Sequence, residues 1–135
     1  MKKVSFTEMK NGTREDYKLL EKLESQYERK TADRILDYLA SQTTTLEGYQ
    51  ITRLEHSLQA ATRAYKNEES EEMIVATLLQ DLGDELAPMK QSQYAASVIK
   101  PYVSEKTYWI ILHHDLFQTY YSAEHLGGDK NAREK

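Results

Sequence analysis

Only five glycines and two prolines punctuate 135 residues, and two of those glycines stand side by side near the end. A sandwich of short strands needs a turn roughly every 8–12 residues, with a breaker at most of them. This chain does not carry that many. Its apolar residues instead recur three and four positions apart, the spacing of one face of an α-helix. The expected fold class is therefore all-α, a single helical bundle.

The segments follow from caps and breakers. Residues 1–12 read as a loose lead-in that ends in the turn pair Asn11-Gly12. Thr13 and Asp16 form a capping-box pattern and open a helix to about Lys30, with Tyr17, Leu20, Leu23 and Tyr27 on its stripe. A second helix is expected over 32–41, with Ile35, Leu36 and Leu39 as its apolar face. Ser41 to Gly48 is polar and reads as a loop. Thr52 and Glu55 start the next helix, which should reach Lys66 with Leu54, Leu58, Ala61 and Tyr65 facing inward. Ser70, Glu71 and Glu72 cap and charge the start of a helix from Met73 to Leu82. That segment is nearly all apolar, so it is expected at the centre of the molecule. Gly83 ends it. Ser92 to Lys100 is a short helix stopped before Pro101. Ser104 to His114 is another, and its pattern runs on through Tyr120 toward His125 until Gly127-Gly128. The whole of 1–135 is expected to be one domain, with 129–135 reading as a truncated continuation.

Charge narrows the function. Eighteen Lys and Arg against 22 Asp and Glu give a formal net charge of -4. A general nucleic-acid binder needs a strong basic patch, which this balance does not supply. A small anionic ligand needs only a local site and remains open. The absence of cysteine removes disulfides, zinc-thiolate clusters and thiol nucleophiles. No stretch approaches the roughly 20 apolar residues of a membrane helix, and the start of the chain lacks the apolar run of a signal peptide. A cytoplasmic protein is expected.

The most informative acid is Asp81, at the exit of the apolar helix. A carboxylate there is disfavoured by the helix dipole and must be paired, hydrogen-bonded or metal-bound if buried. The four histidines are His56, His113, His114 and His125. His113 and His114 are neighbours, so on a continuous helix they point about 100° apart and only one faces a given site. Ser57 beside His56 is no nucleophile-base pair, because adjacent helical residues do not face each other. Gly127-Gly128 lacks the strand and the Lys-Ser/Thr of a phosphate loop. Most of the ten tyrosines are expected in the core or on its edge, with Tyr120 and Tyr121 near His114 as candidates for a pocket wall.

Together, Leu54-Glu55-His56-Ser57-Leu58-Gln59, Leu78-Leu79-Gln80-Asp81-Leu82-Gly83-Asp84 and His113-His114 resemble the HD-domain superfamily over roughly 46–128. The branch most similar holds HD-type di-iron oxygenases of organophosphonate breakdown and phosphohydrolase-like relatives. The resemblance implies a helical bundle in which His56, Asp81 and His114 are metal ligands, with Asp81 bridging two ions in two-metal members. His113 is the substitute for His114. The same resemblance exposes departures. Gln80 stands where the histidine of the His-Asp pair belongs, and Gln91 where the histidine opening the next helix belongs. The terminal aspartate of the pattern falls beyond Gly128, and Asp129 lies too close to the glycine pair to replace it. Gln118 takes the place of a basic residue, and Tyr49 is the nearest match to an upstream tyrosine. Tyr49, Gln118 and Tyr121 are thus expected along the pocket, with Asp84 and Glu85 as secondary candidates for ligands.

A glutamine amide oxygen is a weak ligand for iron, manganese or zinc compared with imidazole. The expected cofactor is a divalent metal, iron or manganese, held weakly, or none. Three readings stand. One is an HD protein with an incomplete metal site and impaired catalysis. Another is an active metal-dependent oxygenase or phosphohydrolase acting on a small phosphonate or phosphate compound. The third is a helical interaction module. Substrate and oligomeric state are not legible in the residues.

Overall fold

The computed structural model describes residues 2–44 and 48–122, the side chains of 119–122 excepted. Among the described residues there is no strand. Seven α-helices follow one another among the described residues: α1 Arg14–Arg29, α2 Thr31–Ser41, α3 Arg53–Lys66, α4 Glu71–Leu79, α5 Gln91–Ile99, α6 Glu105–Leu112 and α7 His114–Ser122. Short 3-10 turns lie at Met9–Asn11 and Lys100–Tyr102. No described helix is long and apolar enough to cross a membrane. The fold class is all-α, as the scarcity of breakers demands.

The chain divides into two compact units, Met1–Ser41 and Gln42–Lys135. In the first, α1 packs on α2. The expected capping box is complete: Asp16 N donates to Thr13 Oγ1 at 3.2 Å, and Thr13 N donates back to Asp16 Oδ2 at 3.0 Å. Asp16 also collects the Ser5 backbone N–H at 2.9 Å and its hydroxyl at 2.7 Å, which ties the lead-in to the helix start. These donors hold the Asp16 carboxyl far below the usual carboxylate range. The expected apolar stripes are only half covered. Leu39 is buried, whereas Tyr17, Tyr27 and Leu36 are exposed. Tyr27 instead carries the Arg34 guanidinium 3.5 Å over its ring.

The second unit holds the main core. It is built from Ala76 and Leu79 of α4, Leu82 just beyond it, Ala95, Ala96 and Ile99 of α5, and Ile111 of α6. Helix α4 packs along α3 and against α6, while α5 packs on α6. The face that α3 buries differs from the expected one. Leu58 and Tyr65 are exposed, and the buried residues are Ser57 and Ala64. Small side chains allow α3 to lie close on α4, and the larger apolar ones are left outside. Helix α4 buries Ala76 and Leu79 but leaves Val75 exposed, so it is not buried all round as expected, and it ends at Leu79 rather than Leu82. Residues 80–86 form a run of turns, closed by Leu82 N to Leu79 O at 3.1 Å and Ala87 N to Gly83 O at 2.7 Å. The helix expected from Ser104 onward is two helices. His113 caps α6 with a φ of -108° and a ψ of 6°, and α7 starts at His114.

Candidate functional site

Four elements of the second unit bring polar side chains to one place. His56 comes from α3, whose N-cap is Thr52, with Thr52 Oγ1 accepting from Glu55 N at 3.1 Å. Asp81 comes from the turns after α4. Gln91 and Ser92 open α5. His114 and Asp115 open α7. The break at His113 matters here, because it releases His114 from the register of α6. His114 is buried, while His113 packs its ring 4.7 Å from Trp109.

Asp81 is the hub. Its Oδ2 lies 2.8 Å from His56 Nε2, and its Oδ1 lies 3.2 Å from His114 Nε2. The His114 Nδ1–H donates to the Ile111 carbonyl at 2.6 Å, which turns Nε2 toward the carboxylates. That is the orientation a metal-binding imidazole takes when its other nitrogen is held by a carbonyl. Asp115 lies 3.5 Å from His114 Nε2 through its Oδ1, and its other oxygen accepts a short hydrogen bond from Ser92 Oγ. Asp81, His114 and Asp115 each offer one ligand atom, and these atoms lie within 4.8 Å of one another. By donor type and spacing, two carboxylates and an imidazole could hold a metal ion.

The Gln91 amide enters this group. Its Nε2 stands 3.1 Å from Asp81 Oδ1, 3.0 Å from His114 Nε2 and 2.9 Å from Asp115 Oδ1. Its Oε1 is buried and has no hydrogen-bond partner among the described residues.

The electrostatics follow from burial and neighbours. Burial alone would raise Asp81, but the hydrogen bond and charge of His114, the charge of His56 and the Gln91 amide outweigh it and leave its carboxyl below the usual range. Burial alone would lower His114. Its bonds to Asp81 and the Ile111 carbonyl, and the charges of Asp115 and Asp81, reverse this and raise it. Asp84 is raised by burial and by the charge of Asp81, against the pull of Arg53.

The site opens into a cavity of about 460 Å³, whose lining also includes Tyr49, Ile51, Pro88, Arg53, Asp84 and Gln118. Arg53 reaches Asp84 and Glu85, each at 3.6 Å, so these two acids serve an ion pair beside the ligand group. Tyr49 and Gln118 are among the lining residues. Gln80, half-buried at the end of α4, is not among the lining residues. The Tyr121 side chain, His125, Gly127-Gly128 and Asp129 lie outside the described residues.

Asp115 is the residue that sequence reasoning passed over. Read as mid-helix, an acid after two histidines carries no special meaning. Read as the second residue of a new helix, it is a first-turn acid beside a buried imidazole. Arg53 and Ser92 were also missed, since each acts only by supporting an acid from another element.

Comparison with protein-family models and with curated proteins finds no match.

Proposed function

We propose that this chain is an HD-type helical domain with an incomplete metal site, impaired in the oxidation or phosphate-ester hydrolysis that fully ligated HD proteins perform. One observation carries the reading. Asp81 joins His56 and His114 through its two separate oxygens, at 2.8 Å and 3.2 Å, from elements far apart in the chain. The HD resemblance asks that these three residues converge as ligands, and their convergence supports the reading. The impairment rests on Gln80 and Gln91, which replace two imidazoles of the pattern. The polar lining around Asp81 counts against a helical interaction module with no small-molecule site.

A divalent cation bound by Asp81, His114 and Asp115 would supply Lewis-acid polarisation of a phosphoryl or phosphonyl oxygen. This chain's own residues would orient such a compound: the Arg53 guanidinium, shared with Asp84 and Glu85, is the positive charge on the cavity wall. The acids of the cavity oppose an anion that arrives without a cation.

Asp115 favours a second reading, a working enzyme on a small phosphonate or phosphate compound, because it adds a carboxylate donor to the pair Asp81 and His114. Elemental analysis separates the two. Losing supporting partners of a ligand typically costs 10–100-fold in affinity, and losing ligating imidazoles costs at least as much. The protein as purified should therefore lose its iron, manganese and zinc on dialysis against a chelator. Near-stoichiometric metal that survives dialysis overturns the impaired reading in favour of the second.

A further inference from the structure

The centre of the ligand group holds a piece of the chain itself. The Gln91 Nε2 touches one atom each of Asp81, His114 and Asp115 at 2.9–3.1 Å. A primary amide nitrogen has two hydrogens and no lone pair to offer, so it donates to the Asp81 and Asp115 oxygens and sits beside them as a small positive pole. Its two hydrogens reach one oxygen of each carboxylate, alongside the His114 Nε2 that lies 3.2 Å and 3.5 Å from the same two groups.

The other end of the same amide is unsatisfied. Gln91 is 7% exposed, and its Oε1 is buried without a partner. A buried carbonyl without a donor is a standing free-energy cost. The chain accepts that cost in this orientation because the reverse one is worse. Turning the amide by half a revolution would put Oε1 within about 3 Å of two carboxylate oxygens, which repel it unless a cation lies between and which outnumber the single His114 Nε2 that could donate to it. The backbone beneath is fixed: Gly83 packs against Gln91 Cα and its carbonyl so closely that a methyl group there would meet them at 3.0 and 2.9 Å. Only the side chain is free to answer.

We infer that the Gln91 carboxamide is an intramolecular plug of the cation site, which must turn its nitrogen out of the Asp81–His114–Asp115 group before a divalent cation enters. This rests on the cation reading proposed above. The plug lowers the fraction of molecules competent to bind, and apparent affinity falls by that fraction. Gln91 therefore weakens binding as a competitor and does not merely fail to help as a poor ligand.

The test is titration of Mn²⁺ into the wild-type chain and into Gln91→Ala and Gln91→His, by calorimetry, with a thermal melt of each variant. A plug populated in more than about nine molecules in ten makes Gln91→Ala bind Mn²⁺ roughly tenfold or more tightly than the wild type. Equal or weaker binding by a folded Gln91→Ala overturns the plug and leaves the cation site standing. If Gln91→His, which adds an imidazole, also binds no Mn²⁺, the cation reading fails and the plug with it. Should Gln91→Ala not fold, the side-chain amide resonances of Gln91 in the wild type decide. On titration with diamagnetic Mg²⁺ they should leave their hydrogen-bonded position in step with binding. Resonances unmoved by saturating Mg²⁺ overturn the inference.

Discussion

Gly83→Ala probes the support beneath the site. Gly83 is not in the left-handed region, so its backbone accepts an alanine. The space does not. A Cβ there would lie 2.8 Å from Tyr94 Cβ, 2.9 Å from the Gln91 carbonyl oxygen and 3.0 Å from Gln91 Cα. Comfortable contact between carbons begins near about 3.5 Å, so the shortfall is roughly 0.5 Å or more at each atom. Two of the three atoms are backbone and cannot rotate aside, so the first turn of α5 must shift. Overpacking of this kind costs about 1–3 kcal/mol. Against it stands the loss of unfolded-state freedom when glycine becomes alanine, worth about 0.4–1 kcal/mol in the folded state's favour. The clash wins by about 1–2 kcal/mol. At roughly 3–5 °C per kcal/mol for a chain of this size, the thermal midpoint should fall by roughly 3–10 °C. Circular dichroism melts of wild type and variant measure it. An unchanged or raised midpoint would refute the close packing of Gly83 on α5, and with it the fixed backbone under Gln91.

Two further outcomes are expected. Glu72 of α4 accepts the Ser104 backbone N–H, and the hydroxyls of Ser104 and Thr107 at 3.4 Å and 3.2 Å, so it caps α6 from another helix. Glu72→Ala should cost about 1 kcal/mol, read in urea denaturation, and no loss would mean the cap is idle. Stability should also depend on pH with a definite shape. Asp16 and Asp81 are depressed from 3.8, so their contribution is present above that value and fades as pH falls below it. His114 is raised from 6.5, so its contribution is present below that value and is lost as pH climbs through the raised one. Asp84 is raised from 3.8, so its contribution is present below that value and is lost as pH climbs through its own raised value. The midpoint should peak between these limits, and His114→Gln should flatten the alkaline side; an unchanged alkaline slope in that variant refutes the assignment.

Most helix starts were legible because caps are local. Thr13, Thr52, Ser70 and Ser104 each accept a backbone N–H from the third residue beyond, as their side chains dictate. Helix faces were less legible. The stripe of α3 was read from large apolar residues, yet close packing on α4 selects Ser57 and Ala64, a choice that depends on the partner helix. The grouping of His56, Asp81 and His114 was expected from the resemblance alone, and the structure places them within hydrogen-bond reach. The role of Asp115 was hidden because it depends on the break at His113. No glycine or proline marks that break, and the contacts that turn α7 away from α6 come from distant parts of the chain.

The central claim is that Asp81, His114 and Asp115 together form a cation site. The most direct test is anomalous diffraction from crystals soaked in Mn²⁺. The expected result is one peak at about 2.0–2.3 Å from oxygens of Asp81 and Asp115 and from His114 Nε2, with the Gln91 nitrogen displaced from its present position. A saturated crystal with no peak among these three residues, or with manganese only elsewhere on the protein, would contradict it.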